Sequence, residues 1–322
     1  MEYIFLFSGQ GSQFKGMAED ICTQYPAARA VIDKMSNTSG EDIASFLWHT
    51  EPDELSRSDR SQLAITAMQI AITTVLQEHG ITPAAVAGFS LGEFSALYAA
   101  KVLDLATMTK LVTLRGKIMQ KYCEKLDVQS KATGGGCGMA AVLKLPPEKV
   151  VEVLKPYADP DTGVAFAANL NSPMQTVVSG TAEGLDTAER LCKEAGAKRF
   201  VRLAVAGPFH SPLMRGAAEE FSAALQDVQF NEPAIPIFSN VTGKRLLTGA
   251  EAKKNAVLHL THPVHWLEEE REIAALANAA ALLEIGPGMT LCNLWRDSGC
   301  AGNCRPTGTA EQLSAVIDTS HL

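Results

Sequence analysis

The sequence predicts an α/β protein, a larger domain on a buried parallel sheet with a small β-α-β-β-α-β subdomain inserted into it. Three observations predict this. Tyr3 to Phe7 is an unbroken apolar run, the pattern of a strand buried on both faces of a parallel sheet. Gly88-x-Ser90-x-Gly92 links a brief apolar strand after Pro83 to a run with helical spacing, Leu91, Phe94, Leu97 and Tyr98. Such a sharp strand-to-helix turn forces a serine hydroxyl outward at the mouth of a sheet. Beyond Met139 the pattern changes to four short strands and two helices, the order of a split ferredoxin-like unit.

The first strand ends in Ser8-Gly9-Gln10-Gly11-Ser12-Gln13, a loop that can bring a backbone N–H close to a ligand. It lacks the GxGxxG spacing and the Lys-Ser/Thr of a phosphate loop, which argues against nucleotide binding. Leu63 to Leu76, broken by threonines and too short for a bilayer, reads as a buried helix with Gly80 near its end. After the Ser90 turn, Asp104 can cap a helix to about Tyr122, with Met108, Leu111, Val112, Ile118 and Met119 as its apolar stripe. Residues from about Asp127 to Gly138, including Gly134-Gly135-Gly136, read as a linker.

The inserted unit then runs through a strand at Met139 to Leu145 and a helix from Pro146-Pro147 to about Tyr157. Strands at Val164 to Leu170 and Thr176 to Ser179 follow, turned at Asn171-Ser172-Pro173. A helix near Leu185 to Ala195 leads to a last strand, Arg199 to Val205. The chain returns through Gly207-Pro208-Phe209-His210-Ser211-Pro212, where Ser211 can cap and Pro212 open a helix. Ile235 to Phe238 and Ala281 to Ile285 read as further core strands. The expected division is 1–126 with 204–322 for the large domain and 137–203 for the subdomain.

The chain has 322 residues, enough for two cores, and its 46% hydrophobic and 20% charged content is that of an ordinary globular protein. A formal net charge of −8 argues against nucleic acid as a partner of the whole surface. Met1-Glu2 lacks the basic start of a signal peptide, no run spans a membrane, and seven scattered cysteines suit reduced thiols. A cytoplasmic protein, by default a monomer, is the expectation. Cys292, Cys300 and Cys304 cluster without a CxxC pair, and His259-x-x-His262-x-x-His265 is interrupted by Pro263, so no metal is expected.

Three residues invite chemistry. Ser90 sits on the turn, with the following helix aiming its N–H groups and positive dipole end beside it. His210 lies where the chain leaves the subdomain and can face a cleft between the two units. Arg115 falls inside the apolar stripe of its helix; a guanidinium there needs an anion, either a structural carboxylate or the carboxylate of a ligand.

Taken together, the residues resemble the malonyl-CoA:acyl carrier protein transacylases and the acyltransferase domains of fatty-acid and polyketide synthases. The likeness rests on Phe7-Ser8-Gly9-Gln10-Gly11-Ser12-Gln13, Gly88-Phe89-Ser90-Leu91-Gly92-Glu93, Arg115-Gly116 with Met119-Gln120, and Asn169-x-Asn171-Ser172-Pro173-x-Gln175. It continues through Gly207-Pro208-Phe209-His210-Ser211, Ser239-Asn240-Val241-Thr242-Gly243, Pro263-Val264-x-Trp266 and Glu284-Ile285-Gly286-Pro287-Gly288. The resemblance implies an α/β-hydrolase-like large domain with a ferredoxin-like subdomain and an active site between them. It implies Ser90 as nucleophile, His210 as general base, the N–H groups of Gln10 and Leu91 as oxyanion hole, and Arg115 as the holder of the malonyl carboxylate. Asn169, Phe209, Phe89 and His259 join it as substrate-binding positions.

The implied reaction passes malonyl from malonyl-CoA to the phosphopantetheine thiol of holo acyl carrier protein, without a resident cofactor. Two positions depart from the family pattern: Phe89 replaces a usual histidine, and His259 replaces a common glutamine. The latter is tolerable where only its backbone carbonyl orients His210. A bulky residue at Phe209 goes with malonyl, a smaller one with methylmalonyl. Lys193, Lys198, Arg199 and Arg202 form a basic cluster that could receive an acidic carrier protein. A thioesterase-type hydrolase and a transacylase for another acyl group are the alternatives within the same serine chemistry; a catalytically silent carrier-binding partner is the alternative outside it.

Overall fold

The computed structural model describes residues 2–131, 136–205, 207–276 and 280–320. Its strands are β1 (Tyr3–Phe7), β2 (Pro83–Gly88), β3 (Gly138–Leu143), β4 (Ala165–Ser172), β5 (Gln175–Gly180), β6 (Arg199–Arg202), β7 (Ala281–Ile285) and β8 (Cys304–Pro306). They form two sheets. The first is parallel throughout, in the order β2-β1-β7-β8. All of β1 is buried because both faces are covered. Phe5 and Phe7 join a core that includes Leu63, Ile70 and Leu76 of the helix Ser58–Glu78. Ile4 and Leu6 pack on the other side with Trp266, Leu291 and Trp295.

The second sheet is antiparallel, in the order β4-β5-β3-β6, and comes from one continuous stretch of chain. The helices Pro147–Leu154 and Ala182–Glu194 cover one face, where Val150, Leu154, Leu185 and Ala188 pack on Ala140, Val142 and Val178. From the other face, Met139, Ala168 and Val177 enter the main core. The two units are also stitched by backbone: Val264 N–H donates to Ala168 O (2.8 Å) and Leu170 N–H to Val264 O (2.8 Å).

Several elements differ from what the sequence predicts. The helix expected to end near Tyr122 runs over Leu105–Lys131 and takes in the first part of the expected linker. Lys121, Glu124, Lys125 and Asp127 blur the apolar stripe there, but none breaks a helix, and Leu126 still packs on the core. Of the triple glycine, Gly134 and Gly135 lie outside the described residues. Ile235 to Phe238 is no strand: Val86 bridges Ile237 and Phe238 bridges Arg245. Pro233 and Pro236 remove the donors a ladder needs. β6 stops at Arg202 rather than Val205, and the β4–β5 turn is only Pro173-Met174. Ser211 Oγ does not cap its helix but donates to Pro208 O (2.6 Å). The threonines of Ser58–Glu78 are accommodated by hydroxyl bonds one turn back, Thr73 to Gln69 O and Thr74 to Ile70 O, both 2.8 Å.

Candidate active site

β2 and the helix Gly92–Ala99 meet at a turn that only glycine allows on either side of Ser90. A Cβ on Gly88 would stand 2.1 Å from the Gly92 backbone, and one on Gly92 would stand 2.1 Å from Phe7 O. Ser90 itself is held at φ 52°, in the left-handed region that side chains seldom adopt. This lifts its Oγ to 2.7 Å from His210 Nε2. His210 also has a left-handed backbone, φ 56°, and its Nδ1 lies 2.8 Å from His259 O.

These contacts fix the tautomer. A carbonyl only accepts, so Nδ1 carries the proton and Nε2 offers its lone pair to the Ser90 hydroxyl. Burial, with the nearby Arg115 charge, lowers the His210 pKa to about 4 and keeps the ring neutral at physiological pH. The side chain is 4% exposed, so the pair is shielded from water on most sides. The departure at His259 therefore leaves the carbonyl contact to His210 in place, because it is made by backbone.

Ser90 N–H donates to Asn240 Oδ1 at 2.6 Å and so cannot serve a developing oxyanion. The next N–H, of Leu91, donates to no acceptor among the described residues, and neither does that of Gln10. The Gln10 side chain leans away towards Ser56 O and Ser58 Oγ, both at 3.4 Å.

Arg115 is 1% exposed and forms no ion pair among the described residues. Its Nη1 donates to Gln62 Oε1 (2.7 Å), while Nε and Nη2 have no partner. Its guanidinium carbon stands 5.3 Å from the centroid of the Phe94 ring. Desolvation lowers its pKa to about 10, opposed by the charge of Glu93, and leaves it cationic at neutral pH. A buried cation with two unused donors in a fork is a receptor for a carboxylate.

The remaining predicted positions are spread around this centre. Phe209 is buried next to His210 in the chain, and its carbonyl accepts from Ser179 Oγ of β5. Asn169 is buried in β4 at the point where that strand bridges Val264. Phe89 turns its ring edge-on to Trp266, with centroids 5.3 Å apart. A groove of about 810 Å³ between the antiparallel sheet and the helices Arg215–Ala224 and Gly249–Leu258 reaches His210, lined by Val151, Phe166, Val257 and His262 among others.

Two clusters look different in space than in sequence. Lys193 pairs with Glu189 (2.5 Å) and Arg202 with Asp186 (2.6 Å), which neutralises half of the predicted basic cluster. Lys198 and Arg199 remain exposed, next to Lys144 at the adjoining end of β3, and none of the three forms an ion pair among the described residues. Cys292 Sγ comes to 3.1 Å of Cys304 Sγ, with the Glu284 carboxylate in the same group, a trio the spacing did not foretell. Two thiolates on one zinc stand roughly 3.7 Å apart, from Zn–S bonds of about 2.3 Å. Here the hydrogen bond with Cys292 and burial push the Cys304 thiol up. His259 Nε2 is bound to Asn240 and His262 Nδ1 lies beside Thr261 Oγ1, so those rings do not converge.

Sequence reasoning gave no role to Gln62, Glu93 or Asn240, all buried here. Gln62 had a signal, as a polar residue at the start of a strongly apolar helix. Asn240 lay within a recognised motif without an assigned task.

The sequence profile described as the acyl transferase domain matches residues 4–300, and the chain belongs to that family. Among its relatives is the malonyl CoA-acyl carrier protein transacylase of Haemophilus influenzae, 37% identical over 295 residues, covering 91% of each chain. The Bacillus subtilis protein of the same name is 36% identical over 90% of this chain and 88% of its own. The structure superposes on the acyl carrier protein S-malonyltransferase of Vibrio cholerae with a TM-score of 0.89 and 33% identity, over 98% of this chain and all of that one (100%). It also matches a malonyl-transacylase solved in complex with its type II PKS acyl-carrier protein, with a TM-score of 0.90, 32% identity and coverage of 99% and 100%. The α/β architecture, a parallel sheet with a second antiparallel one, is shared with these proteins.

Proposed function

We propose that this chain transfers a malonyl group from malonyl-CoA to the phosphopantetheine thiol of a holo acyl carrier protein, through a malonyl ester on Ser90. The observation that carries the reading is Arg115, a buried guanidinium with Nε and Nη2 unpartnered and close enough for its charge to act on His210. A carboxylate anchored there places the thioester carbonyl of the same short acyl group at Ser90. Acetyl and longer unbranched acyl groups offer Arg115 nothing.

In the first half-reaction Ser90 Oγ attacks the thioester carbonyl as its proton passes to His210 Nε2. The Nδ1–H bond to His259 O orients the ring and stabilises the imidazolium that forms. The N–H groups of Gln10 and Leu91 hold the oxyanion, a contribution of about 3–4 kcal/mol per donor in comparable acyl transfers. Collapse breaks the C–S bond, and the leaving sulfur takes the proton from Nε2. In the second half the carrier thiol gives its proton to Nε2, attacks the ester carbonyl, and Ser90 leaves with that proton. No resident cofactor enters either step.

The same reading covers the architecture. The parallel-sheet part, 1–126 with 204–322, is α/β-hydrolase-like and residues 137–203 are a ferredoxin-like subdomain, with the site between them. The order β3-helix-β4-β5-helix-β6 and the sheet order β4-β5-β3-β6 support the second assignment. The proposed catalytic residues come together within one protomer, so the proposed chemistry needs no residue from a second copy. No helix among the described residues is long and apolar enough to cross a membrane.

Replacing Arg115 tests the donor assignment. Charge-assisted bonds contribute about 1.5–3 kcal/mol, so Arg115→Ala should lower kcat/KM for malonyl-CoA by roughly 10- to 100-fold and leave the slow turnover of acetyl-CoA nearly unchanged. An equal fall for both donors would show that Arg115 supports the fold and not the substrate.

A further inference from the structure

We propose that Asn240 is the positioning residue of this site, a single side-chain amide that sets the serine turn and the support of the histidine in register. The inference rests on the reading of Ser90 and His210 as nucleophile and base. Asn240 is wholly buried and uses every polar atom it has, its own carbonyl accepting from His265 N–H (2.8 Å). Nδ2 donates to Gly88 O (2.7 Å) and to Glu269 Oε1 (2.8 Å), and the main-chain N–H donates to Glu93 Oε2 (2.8 Å). Because Gly88 O can only accept, the amide must face it with nitrogen. Oδ1 is then left to accept from both Ser90 N–H (2.6 Å) and His259 Nε2–H (2.9 Å).

Each bond has a consequence at the reacting atoms. The pair to Gly88 O and Ser90 N–H grips the turn on both sides of its left-handed residue, where the backbone would otherwise relax. It also occupies the Ser90 N–H, which leaves the N–H of Leu91 as the donor facing the substrate. The bond to His259 fixes that ring as the Nε2–H tautomer, with Nδ1 bare and unpartnered. His259 is the residue whose carbonyl receives His210 Nδ1–H, so its placement sets where His210 Nε2 points. One oxygen thus meets the backbone of the nucleophile and the side chain that carries the base's anchor. Where the family commonly has glutamine, His259 here makes this link through an imidazole.

Two variants and two reactions test this. The reactions are labelling of Ser90 by phenylmethylsulfonyl fluoride, which needs a poised serine but no malonyl recognition, and malonylation by malonyl-CoA, both scaled to folded protein. Asn240→Ala should slow both by about 10- to 100-fold with KM for malonyl-CoA within about threefold, because a displacement near 1 Å suffices for such a loss while the Arg115 pocket is untouched. A folded Asn240→Ala protein that reacts at the wild-type rate, or one that loses only KM, overturns the proposal.

Should Asn240→Ala not fold, Asn240→Asp carries the test. Protonated, that carboxyl still accepts from Ser90 and His259 and donates one bond. Ionised, it meets Gly88 O, Glu93 and Glu269, with only Ser90 N–H, His259 and the charge of Arg115 in its favour. Its sulfonylation rate should therefore fall relative to wild type as pH rises, and a constant ratio across pH overturns the proposal. If wild type is sulfonylated at Ser90 but never malonylated, and Asn240→Ala still slows the labelling, the transfer reading fails and the positioning role stands.

Discussion

Ser90 and His210 share an uncommon backbone geometry, φ 52° and 56°, and strain of this kind costs about 1–3 kcal/mol per residue. The surroundings that hold them are rigid: glycines without room for a Cβ, a carbonyl at His259 and the amide of Asn240. Both candidate reactive residues are legible in the sequence, one from the glycines beside it and the other from its loop position and the family motif. The partners that hold them are not. Asn240 and Gln62 act through contacts 150 and 53 positions away, and no periodicity records such a meeting. Phe209 is buried and directly precedes His210 in the chain, and on the proposed function its ring would fill the space an α-methyl branch needs. Phe209→Ser should raise the ratio of methylmalonyl-CoA to malonyl-CoA turnover by about tenfold, the scale of one or two methylenes in an apolar pocket. An unchanged ratio in a comparison of both esters would remove Phe209 from specificity.

Among elements, β1, β2 and β7 could be read with nearly correct ends because strands buried on both faces are continuous apolar runs bounded by glycine. The helix Leu105–Lys131 extends past the end that its apolar stripe suggests, because Lys121, Glu124, Lys125 and Val128 are exposed and interrupt the stripe. β8 was missed altogether, since Cys304-Arg305-Pro306 has no strand character of its own and exists by pairing with β7. At the start of β6, Lys198 and Arg199 lie beside Lys144 as basic side chains without ion pairs among the described residues, so on the proposed function this edge, rather than Lys193 and Arg202, is where an acidic carrier would dock. Reversing the charge of Lys198 and Arg199 together should raise KM for holo carrier protein about tenfold while malonylation of Ser90 keeps its rate. Equal loss in both half-reactions would mean damage to the fold, and no loss in either would place the carrier elsewhere.

Across the whole molecule, buried ionisable groups set a pH dependence of stability. Burial raises Glu93 to about 7, Glu270 to about 8 and Glu269 well above its ordinary value, so each keeps its proton to higher pH in the fold than in the unfolded chain. An acid with a raised folded pKa stabilises below its unfolded pKa, and that stability is lost as pH rises through the folded one. His210 and His259 are lowered by burial, so their stability is present above about 6.5 and lost as pH falls towards 4. The two trends oppose each other between about pH 4.5 and 6.5, and above that only the carboxyls remain. Tm should therefore decline from pH 6.5 to 8.5, and Glu270→Gln, which keeps the acceptor for Trp266 Nε1–H (2.8 Å), should flatten the decline. An identical slope in the variant would put the alkaline loss on other groups. At this scale the two-sheet plan was legible from runs of strand and helix, whereas the seam between the sheets, made by Val264 against Ala168 and Leu170, was not.

The most direct test of the central claim is intact mass after brief mixing with malonyl-CoA, repeated after addition of apo and then holo carrier protein. The account predicts one malonyl adduct on wild type, none on Ser90→Ala, and its discharge to holo carrier only. An adduct that decays to free malonate at the same rate without carrier, or one that survives in Ser90→Ala, would contradict it.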